Sequence, residues 1–238
     1  MWHLAEYHPS TLFSLRPANA TTSGGKTLVA PTPFALKMAL LDVAIRIHGR
    51  TVGERWFPSI RDLTVAVSLP PTLVVINTFV KILRPHKSGP KDTVGTGLEG
   101  SMGSTIAYRE LVHYGGPLSI ALGTAAESDI PLLALLSHIH YLGKRGGFIQ
   151  FFGYEPTITL PADYTILNPR PNASFRLAGL MQVMDDCGPA MTFAQADIYS
   201  GKKLGLNRPD GRLLNPVVLP YRLARSSRAY SLYEYSGA

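Results

Sequence analysis

The chain has 238 residues, with 23 Lys and Arg against 16 Asp and Glu, a formal net charge of +7. That length can bury a substantial core in one large domain, 1–238, and only 16% of residues are charged, against roughly 25% in ordinary globular proteins, so the surface carries few charges and those lean positive. The single cysteine, Cys187, excludes an internal disulfide and any multi-cysteine zinc site; no run reaches the ~20 apolar residues of a membrane helix, and MWHLAEYHPS lacks the basic-then-apolar pattern of a signal peptide, so a cytoplasmic protein without a membrane partner is expected.

Residues 2–15 read as an extended strand or strand pair, and the small, polar residues 17–31 as a loop. Thr32 then fits an N-cap with Pro33 at the first helical position, where its missing N–H costs nothing. Phe34, Met38, Leu41 and Ile45 form one apolar stripe and Leu36, Leu40, Val43 and Ile47 a second, which predicts a helix covered on two faces and ended by Gly49. Residues 63–69 and 72–83 alternate, are β-branched and flank Pro70-Pro71; they read as a strand pair. From Pro85 to Gly103 the apolar pattern stops in a glycine- and proline-rich stretch, which reads as a flexible loop or hairpin tip. STIAYRELVHYGG and a strand near 117–122 restore order, Ser128 or Asp129 caps a predicted helix over 130–142 that ends at Gly143, and 148–152 reads as a strand. Residues 154–200 read as short strands and proline-rich turns, and the tail from 201 is basic. Together these elements describe a compact α/β platform with a long positive projection.

The string Ala20 to Thr27 (ATTSGGKT) fits a relaxed phosphate-binding loop, but that chemistry needs a helix starting at the lysine, and Pro31 and Pro33 interrupt one. Lys26 and its glycines therefore read as a loop exposing its backbone to a phosphate. His138 and His140, two apart on the predicted helix, face different sides and make no metal pair. Asp185-Asp186 reads as a solvated turn, and no serine sits in a nucleophile elbow. Lys81, Arg84, His86, Lys87 and Lys91 precede the first acid at Asp92; such a run on a glycine-rich arm can follow a phosphate backbone, and it equally describes an ordinary solvated loop. Lys144 and Arg145 between Gly143 and Gly146-Gly147 make a second basic loop, with a helix stop as the alternative. In the tail, arginines alternate with Tyr221, Tyr230, Tyr233 and Tyr235, a pattern that suits base stacking or a strand edge.

In this order, three segments resemble the CRISPR-associated RAMP proteins, specifically the fifth Cas protein family. They are the stretch from Arg16 (RPANATTSGGKTLVAPTPFALKMALLDVA), residues 104–122 (STIAYRELVHYGGPLSIAL) and residues 132–153 (LLALLSHIHYLGKRGGFIQFFG). GKRGG is less regular than the glycine-rich loop of many RAMP proteins, and residues 154–238 align to no pattern of the family. The resemblance implies an α+β fold: a ferredoxin-like, RNA-recognition-type palm with a long β-hairpin thumb at about 84–107 and a C-terminal β-rich part at about 154–238. It implies Arg16, Lys26, Lys144 and Arg145 near the guide RNA backbone, with Tyr108 and Arg109 at the base of the thumb.

The implied function is a non-catalytic RNA-binding subunit of a class 1, type I CRISPR effector. It would cap the 5′ handle of the crRNA and bridge the backbone and large subunits, meeting target DNA indirectly and needing no cofactor or metal. The alternative is a metal-independent endoribonuclease that matures precursor crRNA, although no Tyr, Lys and His set falls on matching positions. A third reading is nucleotide hydrolysis through Lys26.

Overall fold

The structure is a computed structural model that describes residues 1–20, 25–85, 102–124, 129–144, 146–169 and 177–237. Strand β1 (Trp2–Pro9) is followed by helices α1 (Pro33–His48) and α2 (Arg50–Arg61), then by β2 (Thr64–Ser68), β3 (Thr72–Pro85), β4 (Met102–Tyr114) and β5 (Leu118–Gly123). The short helix α3 (Leu132–Ser137) leads to β6 (Ile149–Thr157), β7 (Thr165–Ile166) and β8 (Leu180–Cys187). Helix α4 (Phe193–Ala196) and strands β9 (Arg212–Leu219), β10 (Tyr221–Ser226) and β11 (Tyr230–Tyr235) complete the chain. The fold is α+β. One five-stranded sheet has the order β6-β1-β5-β2-β7, a four-stranded sheet has β10-β11-β3-β4, and β8 pairs with β9; every pairing between these strands is antiparallel.

Helix α1 forms as its sequence dictates. The Thr32 hydroxyl accepts a hydrogen bond from Ala35 N at 3.2 Å, Pro33 opens the helix, and Gly49 closes it at φ 84°, a backbone conformation that favours glycine. Leu36, Leu40, Leu41, Val43 and Ala44 are buried; Phe34, Met38 and Ile45 pack on the rim of the core, and Ile47 is exposed. Residues 50–62 are unassigned from sequence, and Arg50–Arg61 among them form α2. Its buried face is Gly53, Trp56, Phe57 and Ile60, a helical period interrupted on the exposed side by Pro58. Gly53 permits the close crossing: a Cβ there would fall 2.5 Å from Ile45 Cγ1.

Four expectations need correction. The segments flanking Pro70-Pro71 are both strands, but they do not pair. β2 joins the five-stranded sheet and β3 the four-stranded one, because two prolines hold the backbone extended and carry the chain from one sheet to the next instead of turning it back. The helix predicted over 130–142 covers only Leu132–Ser137. The Ser137 hydroxyl donates to the Ala134 carbonyl at 3.1 Å and His138 Nδ1 lies 2.8 Å from the same oxygen, so His138 N turns to Leu135 O and the helix tightens and stops. His138 and His140 therefore do not sit on opposite helix faces; their rings are 6.4 Å apart.

Asp185 and Asp186 are not a solvated turn. Both are buried in β8. Asp186 Oδ1 accepts from Lys37 Nζ at 2.7 Å and from Cys187 N, and Oδ2 accepts from Asn168 Nδ2. Arg212 Nη1 donates to Asp185 Oδ2 at 3.1 Å, and the Arg212 guanidinium lies over the Phe34 ring. These pairs bind the β8–β9 ribbon to α1. Among the described residues no group of three or more His, Cys, Asp and Glu could hold a metal ion, and no helix is long and apolar enough to cross a membrane.

Candidate nucleic-acid interface

Strands β3 and β4 pair in register from Leu73 opposite Tyr114 to Pro85 opposite Met102. Paired residues share a face and alternate residues return to it. One face therefore carries Leu73, Val75, Asn77, Phe79, Lys81 and Leu83 against Tyr114, Val112, Glu110, Tyr108, Ile106 and Ser104. At the Leu73 end it belongs to the core, with Leu73, Val75, Val112 and Tyr114 buried. It turns polar at Asn77 and Glu110. Beyond that it is apolar and open to water: Phe79 is 74% exposed, Ile106 73% and Leu83 65%. Lys81 is exposed among them, with no acidic partner among the described residues. The pair is thus rooted in the core at one end and projects at the other.

At the junction sits a hydrogen-bonded set. The Glu110 carboxylate accepts from Lys26 Nζ at 2.6 Å and from Thr27 N at 3.0 Å. The Tyr108 hydroxyl lies 2.9 Å from Asn77 Oδ1 and 3.1 Å from Glu110 Oε1, and its single proton serves one of them at a time. Glu110 N donates to Gly25 O, which seals the edge of β4 against the loop. Only glycine fits at 25: a Cβ would lie 2.3 Å from Tyr108 O. The hydrogen bond and charge of Glu110 raise the Lys26 ammonium above its ordinary value, and burial followed by the Glu110 charge raises the Tyr108 phenol. Residues 25–31 contain no helix, so Lys26 lacks the geometry of a nucleotide-binding loop and is an exposed cation paired with a buried carboxylate.

A second edge contact gathers the remaining cations. Phe13 exchanges backbone hydrogen bonds with Val112 on the outer edge of β4, which carries Arg16 alongside that strand. Residues 142–144 and 146–147 pack on the same segment. Gly143, at φ 71°, would place a Cβ 3.1 Å from Leu15, and Gly147 would place one 2.9 Å from the Phe13 ring. The glycines thus set Lys144 beside Arg16. Arg109 Nη1 folds onto Tyr108 O at 2.8 Å. Loss of hydration, then the charges of Arg109 and Arg16, hold the Lys144 ammonium below the ordinary lysine value. Arg16 and Arg109, from two remote segments, therefore each repel Lys144 across one patch. An anion would relieve that repulsion.

Of the candidate residues, the fold gathers Arg16, Lys26, Tyr108, Arg109 and Lys144 around β4 and sets Lys81 farther out on β3. The Arg84 side chain, His86, Lys87, Lys91 and Arg145 lie outside the described residues. Sequence reasoning missed Glu110 and Asn77, which organise Lys26 and Tyr108, and the exposed pair Phe79 and Ile106. Strand alternation from Leu73 was the signal for Asn77 and Phe79; nothing local marked Glu110. In the tail, Tyr221 is buried, with its hydroxyl on Pro70 O and its ring edge-on to Tyr235, so it is structural.

No family model matches the chain. It is 28% identical over 215 residues to the CRISPR-associated protein Cas5 of Archaeoglobus fulgidus, covering 84% of this chain and 86% of that protein. The crystal structure of a CRISPR protein from Archaeoglobus fulgidus matches 99% of this chain and 92% of its own with a TM-score of 0.50 at 13% identity. A chain of a CRISPR RNA-guided surveillance complex matches 92% of this chain and 91% of its own with a TM-score of 0.42 at 12% identity. The resemblance to the fifth Cas protein family thus holds over most of the length. At 84% coverage it necessarily reaches into residues 154–238, where no motif was readable.

Proposed function

We propose that this chain is a non-catalytic RNA-binding subunit of a type I CRISPR effector, capping the 5′ handle of the crRNA and bridging the backbone and large subunits. The observation that carries the reading is the convergence of Arg16, Arg109 and Lys144 beside the root of the projecting β3–β4 pair, in a chain similar to Cas5. Clustered cations follow a sugar–phosphate strand, and exposed rings such as Phe79 stack on unpaired bases. The strand order β6-β1-β5-β2, with helices in the connections from β1 to β2 and from β5 to β6, supports a ferredoxin-like palm. On that reading the thumb is the stretch at about 84–107, carried on the projecting end of β3 and β4.

Cleavage of RNA without metal needs a base at the 2′-hydroxyl. At the thumb root Lys26 and Tyr108 both hold their protons more tightly than usual, and the Glu110 carboxylate is taken up by Lys26 and Thr27, so none of the three is a free base. The test uses purified protein with repeat RNA in EDTA, alongside filter binding of a handle oligonucleotide. Tight binding without a discrete product is expected, weakened about a hundredfold or more in Arg109→Ala plus Lys144→Ala, since charge-assisted contacts contribute about 1.5–3 kcal/mol each. Unchanged affinity in that variant would count against the reading, and a product ending at the handle boundary would favour the endoribonuclease.

A further inference from the structure

The face of the five-stranded sheet opposite Ala5, Tyr7, Leu118 and Ile120, which are buried, holds a cleft of about 280 Å³. Its residues come from three strands and a loop. Glu6 of β1 pairs with Ser119 of β5 and with Gly153 of β6, and Leu4 pairs with Glu155 of β6. The ladder between β1 and β6 shifts register after Glu6. Gly153 forms the floor, where an added Cβ would meet nothing within 4 Å. A glycine in a strand beside such an irregularity marks a place where another group approaches closely. Phe152 walls one side, 68% exposed and stacked on the His8 ring at 4.5 Å.

The charge here is opposite to that of the molecule as a whole. Burial first, then the charges of Asp163, Glu6 and Glu155 against the opposing Ser119 hydrogen bond, raise the Tyr164 phenol. Asp163 accepts from the Ser68 hydroxyl at 2.7 Å and Glu6 has His8 at 3.3 Å; Glu155 has no cationic partner among the described residues. In a chain of net charge +7, this cleft brings three carboxylates together beside an open ring, and of them Glu155 has neither a cation nor a hydroxyl partner among the described residues. The carboxylates do not form a group that could hold a metal ion.

We infer that this cleft docks an arginine side chain presented by a protein partner, the guanidinium stacking on Phe152 and forking onto Glu155 and Glu6. A planar guanidinium can stack on a ring and bond carboxylates at once, which an ammonium cannot do. The site lies apart from the cationic patch and needs no RNA, so its test is separate from that of RNA binding.

The full chain, free of RNA, is titrated with blocked arginine amide up to about 10 mM while backbone amide resonances are followed, with blocked citrulline amide as the uncharged isostere. Saturable shifts at Phe152 and Gly153 are expected, with citrulline binding about tenfold more weakly for want of the charge-assisted bonds. Glu6→Gln and Glu155→Gln, isosteric changes at solvent-accessible positions, abolish the preference for arginine. The inference is overturned by no saturable shift, by equal response to citrulline, by a preference that survives both substitutions, or by shifts with spermine or magnesium but not with arginine.

Discussion

Single residues at the candidate interface owe their states to partners far away in the chain. Lys26 looked from sequence like a phosphate-binding lysine, and only the fold reveals Glu110 at 2.6 Å. A carboxylate on an alternating strand has no local signature distinguishing it from a solvated one, so this pairing was not legible. Cys187 makes the same point with a measurable consequence. Burial, offset by Lys37 and Arg61 and reinforced by Asp186 and Asp185, pushes its thiol up to about 12 from an ordinary 9.0. Because the folded value is raised, its contribution to stability is complete below pH 9 and is lost as pH climbs from there through about 12. At pH 8 a thiol reagent is expected to label Cys187 only as fast as the chain unfolds, because the reactive thiolate is scarce and enclosed; rapid labelling of the native protein would contradict that burial.

Elements with punctuation at both ends were the legible ones. Thr32-Pro33 and Gly49 bracket α1, and the observed helix begins and ends where they place it. Helix α2 has no side-chain cap and carries Gly53 and Pro58, so its Trp56, Phe57 and Ile60 face did not declare itself. α3 fell short because Ser137 and His138 claim a carbonyl that the next turn required, a competition that apolar periodicity does not register. The β8–β9 ribbon was also hidden, since its anchor is Lys37, a lysine on the buried face of α1, joined to Asp186. Removing one member of a buried ion pair leaves the other charge uncompensated, at a cost of about 3–5 kcal/mol. Lys37→Ala is therefore expected to lower the urea midpoint by that amount of stability, whereas Lys37→Met with Asp186→Leu should recover much of the loss. Equal destabilisation by both variants would mean that the hydrogen bonds Asp186 accepts from Cys187 and Asn168, and not an uncompensated charge, set the cost.

At the scale of the whole molecule, the basic balance was legible but its placement was not. Arg16, Arg109 and Lys144 belong to a loop, a strand and a glycine turn, and only the docking of residues 13–16 between β4 and residues 142–144 and 146–147 assembles them. The same folding gathers Glu6, Glu155 and Asp163 elsewhere, so a sparsely charged protein has separate positive and negative sites. On the proposed function, the positive site holds the guide strand while the sheet is left for protein neighbours. The most direct test is the salt dependence of handle RNA binding, because each phosphate neutralised on a single strand contributes about 0.7 to the slope of log K against log salt. Replacing Arg16, Arg109 and Lys144 together by alanine is expected to reduce that slope by about 2; an unchanged slope, with the variant still folded, would show that the RNA lies elsewhere.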